Sequence, residues 1–378
     1  MATSSTIMIK AMMKHTLYAG LGLLAIFPDT AIALTLQQSI TLPLSLEYES
    51  NPRLASNNKE SARRSTLKPD YSLMATQGND QFFVNLGLNI ERSSNQSASA
   101  DREDPRLGLA WTHTYAKGQF GLTANFSEQS TRISEFEDTG LVANDNTRQT
   151  RSIGANWNTA LSERYTFALN ADVTKVEFDN QAGSLNDYDN KSINARLGYS
   201  VSEQLESYAR VSFSRFEPAS NNKTSFRSID VGVSWAVNEQ FNIDGNVGIN
   251  RTSGSNSESG WQAMLDASYM TERTQTSAGI SRSRSPSGSG VINESNQFTA
   301  GWTYNLSGKE NLGVNFNYRE NLTSNRNKTA RLLASYTRAL APEWDFRLSA
   351  SHRNRDDETS DASSNSFTAT IIYKLSDF

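Results

Sequence analysis

Nine charged residues are spaced so that they could do chemistry together: Asp172, Arg196, Arg210, Asp230, Asp244, Asp266, Arg319, Arg331 and Arg347. Most lie between apolar neighbours, as Asp230 does between Ile229 and Val231. Side chains of an extended chain alternate between two faces, so these charges share the face opposite the apolar one. Two kinds of chemistry fit. Cross-strand ion pairs would brace a wall; charged groups around a water-filled passage would set its ion preference. The acids gather from Asp230 to Asp266 and the later basic residues from Arg319 to Lys374, which predicts a field across the enclosed space.

Other chemistries find no constellation. His15 lies in the N-terminal segment, and His113 shares a phase with Trp111 and Tyr115. His352 opens the charged run HRNRDDE, read as a solvated loop, and neither later histidine has a serine or paired acids as a partner. The acidic groups Asp101, Glu103, Asp104 and Asp356, Asp357, Glu358, Asp361 lack calcium-loop spacing and read as solvated loops. There is no cysteine, which excludes disulfides and thiolate metal sites. No catalytic, cofactor or metal site is predicted. A net charge of −4 leaves no nucleic-acid footprint.

The elements that must position the nine charges are hairpins. From Phe298 to Tyr318 one arm alternates Phe298, Ala300, Trp302, Tyr304 and Leu306 with polar residues. After the turn Ser307-Gly308-Lys309-Glu310, Leu312, Val314, Phe316 and Tyr318 do the same. Each arm is about ten residues, the length of a tilted strand crossing a bilayer. The rhythm recurs along the chain, with short turns such as Ala116-Lys117-Gly118-Gln119 and Asn238-Glu239-Gln240. Longer connections of roughly eight to eighteen residues alternate with them, as outward loops do with periplasmic turns in outer-membrane barrels. Tyr115, Phe120, Trp157, Tyr165, Trp235, Phe241, Tyr336 and Trp344 flank the short turns, where an interfacial girdle would sit. Pro43, lacking an amide donor, predicts a local break in pairing.

The pattern predicts an all-β fold: a transmembrane antiparallel up-and-down β-barrel of about eighteen strands, or sixteen without the two weakest segments, Leu67 to Ala75 and Thr276 to Ile280. Only 37% of residues are hydrophobic and mean hydropathy is −0.57, which leaves no room for a helical span in residues 34–378. A soluble secreted β-protein is the rival fold. No segment reads as a plug and no loop as an infolded constriction. Residues 1–33 read as a signal peptide, with Lys10 and Lys14 before an apolar run and Ala31-Ile32-Ala33 at the cut; an internal start at Met12 or Met13 fits as well. The expected destination is the outer membrane of a Gram-negative cell, with its lipid, lipopolysaccharide and barrel assembly machinery as partners. A porin-like diffusion channel and a non-conducting scaffold barrel both fit.

The stretch LEYESNPRLAS, Leu46 to Ser56, resembles the start of β-barrel porins found with exopolysaccharide or exosortase systems, and the strand rhythm and terminal Phe378 are similar. The resemblance implies an outer-membrane barrel with a role in polysaccharide export, and it defines no functional residues. Phe378 departs from it by falling out of phase with Phe367, Ala369, Ile371, Tyr373 and Leu375.

Overall fold

In a computed structural model, the described residues are 34–138, 145–179, 185–219, 223–254, 257–323, 326–357 and 360–376. The expected signal peptide and Phe378 lie outside them. The first strands are β1 (Leu34–Glu49), β2 (Ala62–Leu67), β3 (Asp70–Gln77), β4 (Asp80–Ser93), β5 (Arg102–Tyr115) and β6 (Gly118–Ser130). A short helix, α1 (Thr131–Asp138), follows β6. Then come β7 (Thr147–Ala160), β8 (Tyr165–Phe178), β9 (Tyr188–Ser200), β10 (Leu205–Pro218), β11 (Thr224–Ala236) and β12 (Phe241–Ser253). The last are β13 (Glu258–Met270), β14 (Thr274–Pro286), β15 (Ile292–Ser307), β16 (Glu310–Asn321), β17 (Asn327–Ala341), β18 (Trp344–Asp357) and β19 (Ser360–Ser376).

From β4 onward each strand pairs antiparallel with its sequence neighbours, and β1 pairs with β19, so the sheet closes on itself without an edge. β2 and β3 share one place in the wall, since both pair with β1 and β4. The result is a closed barrel of 18 strands. The segment Leu67 to Ala75 is therefore one wall strand in two pieces, and Thr276 to Ile280 is part of β14. The break opens opposite Pro43: Leu44 pairs with Leu67 and Thr41 with Asp70, while Lys68 and Pro69 leave the ladder. Two prolines meet there, and their carbonyls still accept from Lys68 N and Leu88 N, each at 3.0 Å.

The apolar phase faces outward. Leu46 is 65% exposed, Ile153 68% and Ile249 69%, values that a soluble sheet would not tolerate along a continuous band. Trp157, Tyr165, Trp235 and Trp344 are exposed beside the short turns, and the Trp157 indole donates to the Tyr115 hydroxyl at 2.6 Å. The opposite end differs from expectation. Wide connections occur early, between β1 and β2, β4 and β5, β6 and β7, and β8 and β9. Later the strands themselves run on through the polar sequence: β18 reaches Asp357 and β19 starts at Ser360, so most of the charged run after His352 is ladder, not loop. Alternating polar residues pair as readily as apolar ones once a strand leaves the apolar band.

Candidate functional site: a lumen crossed by an infolded helix

The helix that follows β6 turns into the barrel. Its neck is closed by Thr131 N donating to Asn146 O at 2.9 Å and Asn146 N to Thr131 Oγ1 at 3.0 Å. Ser130 Oγ accepts from Arg132 N at 3.1 Å, satisfying one of the free amides that begin a helix. α1 then reaches across. β6 is the fifth wall place and β16 the fifteenth of 18, about half a circumference apart, yet residues of α1 bind side chains of β16, β17 and β18. The Arg319 guanidinium donates to the carbonyls of Glu137 and Asp138, C-terminal acceptors of the helix. Arg331 lies 3.4 Å from Glu137. Phe136 packs with Leu54 and Ala362 under the Arg353 guanidinium, 5.2 Å from its ring centre.

Buried charge holds the other side of the helix. Glu49, 2% exposed, faces Arg64, Arg353 and, at 3.6 Å, Arg132. Ser364 Oγ also donates to Glu49 at 3.0 Å. Arg132 lies a further 3.6 Å from both Glu91 and Asp145. On the helix's remaining face Glu135 is 1% exposed, 3.8 Å from Arg148, and burial pushes its carboxyl up to about 7. The crossing corrects the expectation that no loop folds inward as a constriction. An eight-residue helix with Ile133 and Phe136 on one turn carries a weak signal, and Glu49, Arg132 and Arg353 read as loop charges.

The nine predicted residues all fall in the phase opposite the exposed apolar one, but they do different things. On β9 to β13 five come together. Arg196 pairs with Glu206 at 2.7 Å and stacks on Tyr208, 3.9 Å from the ring centre. The Tyr208 hydroxyl donates to Asp244 at 3.3 Å, and Ser234 donates to the same carboxylate. Arg210 lies 3.4 Å from Asp230, which also accepts from Ser228 and Gln262. Asp266 is the register partner of Asp244, and both line a hollow of about 560 Å³ near the short turns. Asp172 accepts from Thr174 at 2.7 Å, and Arg347 donates to Thr337 at 3.2 Å. Arg319 and Arg331 are taken up by α1. Lys374 pairs with Asp345. The expected field is thereby reduced: Asp230 is matched by Arg210 and two of the later arginines by the helix, leaving Asp244 and Asp266 as neighbouring acids.

No family model and no curated protein matches the sequence. Solved barrels do match the fold. OccAB4 of Acinetobacter baumannii is similar with a TM-score of 0.54 at 9% identity, covering 93% of this chain and 100% of that one. OccAB3 of the same organism gives 0.52 at 11%, covering 90% and 99%. The outer membrane protein OpdK of Pseudomonas aeruginosa gives 0.51 at 11%, covering 90% and 99%. The chain shares their fold. At these identities the likeness extends to architecture and not to any residue's role.

Proposed function

We propose that this chain is a porin-like channel in the outer membrane of a Gram-negative bacterium, passing small hydrophilic solutes by diffusion past a constriction made by α1. The observation that carries the reading is α1 crossing a lumen whose β8 to β14 wall stays lined by hydrophilic side chains. A barrel of about eighteen strands is wide enough for water unless something fills it, and here one helix narrows it. OpdK, a barrel of this fold, has been crystallised with vanillate, a small organic molecule. The reading assigns no reaction, and it takes outer-membrane lipid, lipopolysaccharide and the assembly machinery as surroundings.

The test is single-channel recording in planar bilayers with the mature barrel and with a form whose residues 132–138 are replaced by a short Gly-Ser linker. Discrete steps are expected from both, larger in the second. Protein that inserts and never conducts in either form removes the channel reading.

A second reading has its own observation. α1, Leu54 and the Glu49 cluster lie over one part of the mouth, and over another Asn186 N donates to Gly288 O at 2.6 Å. A mouth so covered also suits a non-conducting scaffold or adhesin for polysaccharide assembly. Saccharide binding by a barrel that never conducts would favour it.

A further inference from the structure

Above the apolar band, six consecutive strands carry a basic residue in the outward phase two positions beyond an apolar residue: Arg151, Lys175, Lys191, Arg215, Arg227 and Arg251 on β7 to β12. The apolar residues beneath them include Ile153, Val173, Ile229 and Ile249, exposed by half or more. The sheet register makes the basic residues direct cross-strand neighbours: Arg151 with Lys175, Lys191 with Arg215, Arg227 with Arg251. Side chains so placed are about 5 Å apart at Cβ, and like charges there repel. Some are offset, since Glu177 pairs with Arg151 at 3.1 Å and Lys175 at 2.7 Å, and Glu217 with Arg215 at 2.7 Å. Lys191, Arg227 and Arg251 have no carboxylate within 4 Å among the described residues. The Arg227 guanidinium lies 5.7 Å from the ring centre of Phe213, at the upper edge of the band. Two other arginines of the outer face are matched: Arg92 pairs with Glu103, and Arg282 with Glu294.

We propose that the outer face of β7 to β12 is a binding surface for the phosphate groups of a phosphorylated membrane glycolipid, with Arg227 and Arg251 as its centre. The inference rests on the barrel reading above. Exposed apolar side chains place the acyl chains, and the guanidiniums just above them stand where a headgroup phosphate would be. A phosphate oxygen accepts charge-assisted hydrogen bonds from both arginines and turns a repulsive pair into a bridged one. The paired arginines thus point to an anion held in the plane of the membrane rather than to solvent.

Refolded barrel in dodecyl maltoside is titrated with bisphosphorylated lipid A, with the same lipid after removal of both phosphates, and with inorganic phosphate, and bound lipid is read by native mass spectrometry. Wild-type protein should hold the phosphorylated lipid about tenfold more tightly than the dephosphorylated one, and R227Q/R251Q should lose that preference. K191Q should lose part of it, and R92Q on the far wall should behave as wild type. Heat-modifiable gel migration certifies that each variant is folded. Equal retention of both lipids, or an unchanged preference in R227Q/R251Q and K191Q, overturns the proposal. Inorganic phosphate displacing the lipid at equal concentration overturns the lipid as occupant. Lipid preference in a barrel that never conducts sinks only the channel reading; conductance without lipid preference sinks only this one.

Discussion

Glu49 is buried with three guanidiniums around it, so the cost of removing its charge is set by what stays behind. Glu49→Gln leaves Arg64, Arg132 and Arg353 in the same small volume without their shared anion. Breaking a buried ion pair from one side costs about 3–5 kcal/mol. The variant should unfold at lower urea in detergent micelles, followed by loss of heat-modifiable migration; an unchanged midpoint would mean that Glu47 and Glu91 suffice. Glu135 offers a pH-dependent contact with a definite sign. Its carboxyl is raised from 4.5 to about 7 by burial, against the opposing pull of Arg148 and with the help of Asp138. The docked helix therefore binds a proton that the undocked one has released. Its contribution is fully present below about pH 4.5 and is lost as pH rises through 7, by at most about 3 kcal/mol. Hydrogen exchange of amides 131–138 should speed up across that window, and in Glu135→Gln the rise beyond the intrinsic pH effect should vanish. A helix whose protection is independent of pH in the wild type would refute the assignment.

The strands were legible because a period of two needs only residue type to be read. Ile229, Val231, Val233 and Trp235 announce a strand with an outward apolar face, and the turn Asn238-Glu239-Gln240 marks its end. α1 was not, because eight residues with two apolar positions give no period to count, and its stability comes from distant partners such as Arg319 and Arg353 that no local window contains. The continuation of β18 through Arg353 to Asp357 was missed for a related reason: polar alternation looks like loop composition. One turn residue carries a prediction at this scale. At Gly118, which opens β6, an added Cβ would lie 2.0 Å from the Asn158 carbonyl oxygen and 2.7 Å from Thr159 Cα, both backbone atoms that no rotamer change can move. Gly118→Ala should shift the β6–β7 ladder and lower the yield of folded barrel in refolding assays, whereas Gly308→Ala, with open space around its Cβ position, should leave it unchanged.

Closure of the wall fixes the interior charges at defined heights, and that makes ion preference a property of the whole barrel. Asp244 and Asp266 meet across β12 and β13 beside the hollow near the short turns, with Glu206 close by and paired to Arg196. At the other end the arginines that would have balanced them are occupied: Arg319 by helix carbonyls and Arg331 by Glu137. On the channel reading proposed above, a solute passing from one end to the other meets paired charge around α1 and then an acidic patch in which Asp244 and Asp266 have no ion-pair partner among the described residues. Carboxylates beside a narrow aqueous path raise the local concentration of cations, most strongly at low ionic strength. In a potassium chloride gradient the open barrel should show a reversal potential of cationic sign. Asp244→Asn with Asp266→Asn should move it toward the anionic side while single-channel conductance in concentrated salt changes little, because screening hides fixed charge there. Arg347→Gln, removing a wall cation that donates to Thr337, should move it the other way. If the paired asparagines leave the reversal potential where it was, the acids brace the wall and the permeating ions do not feel them.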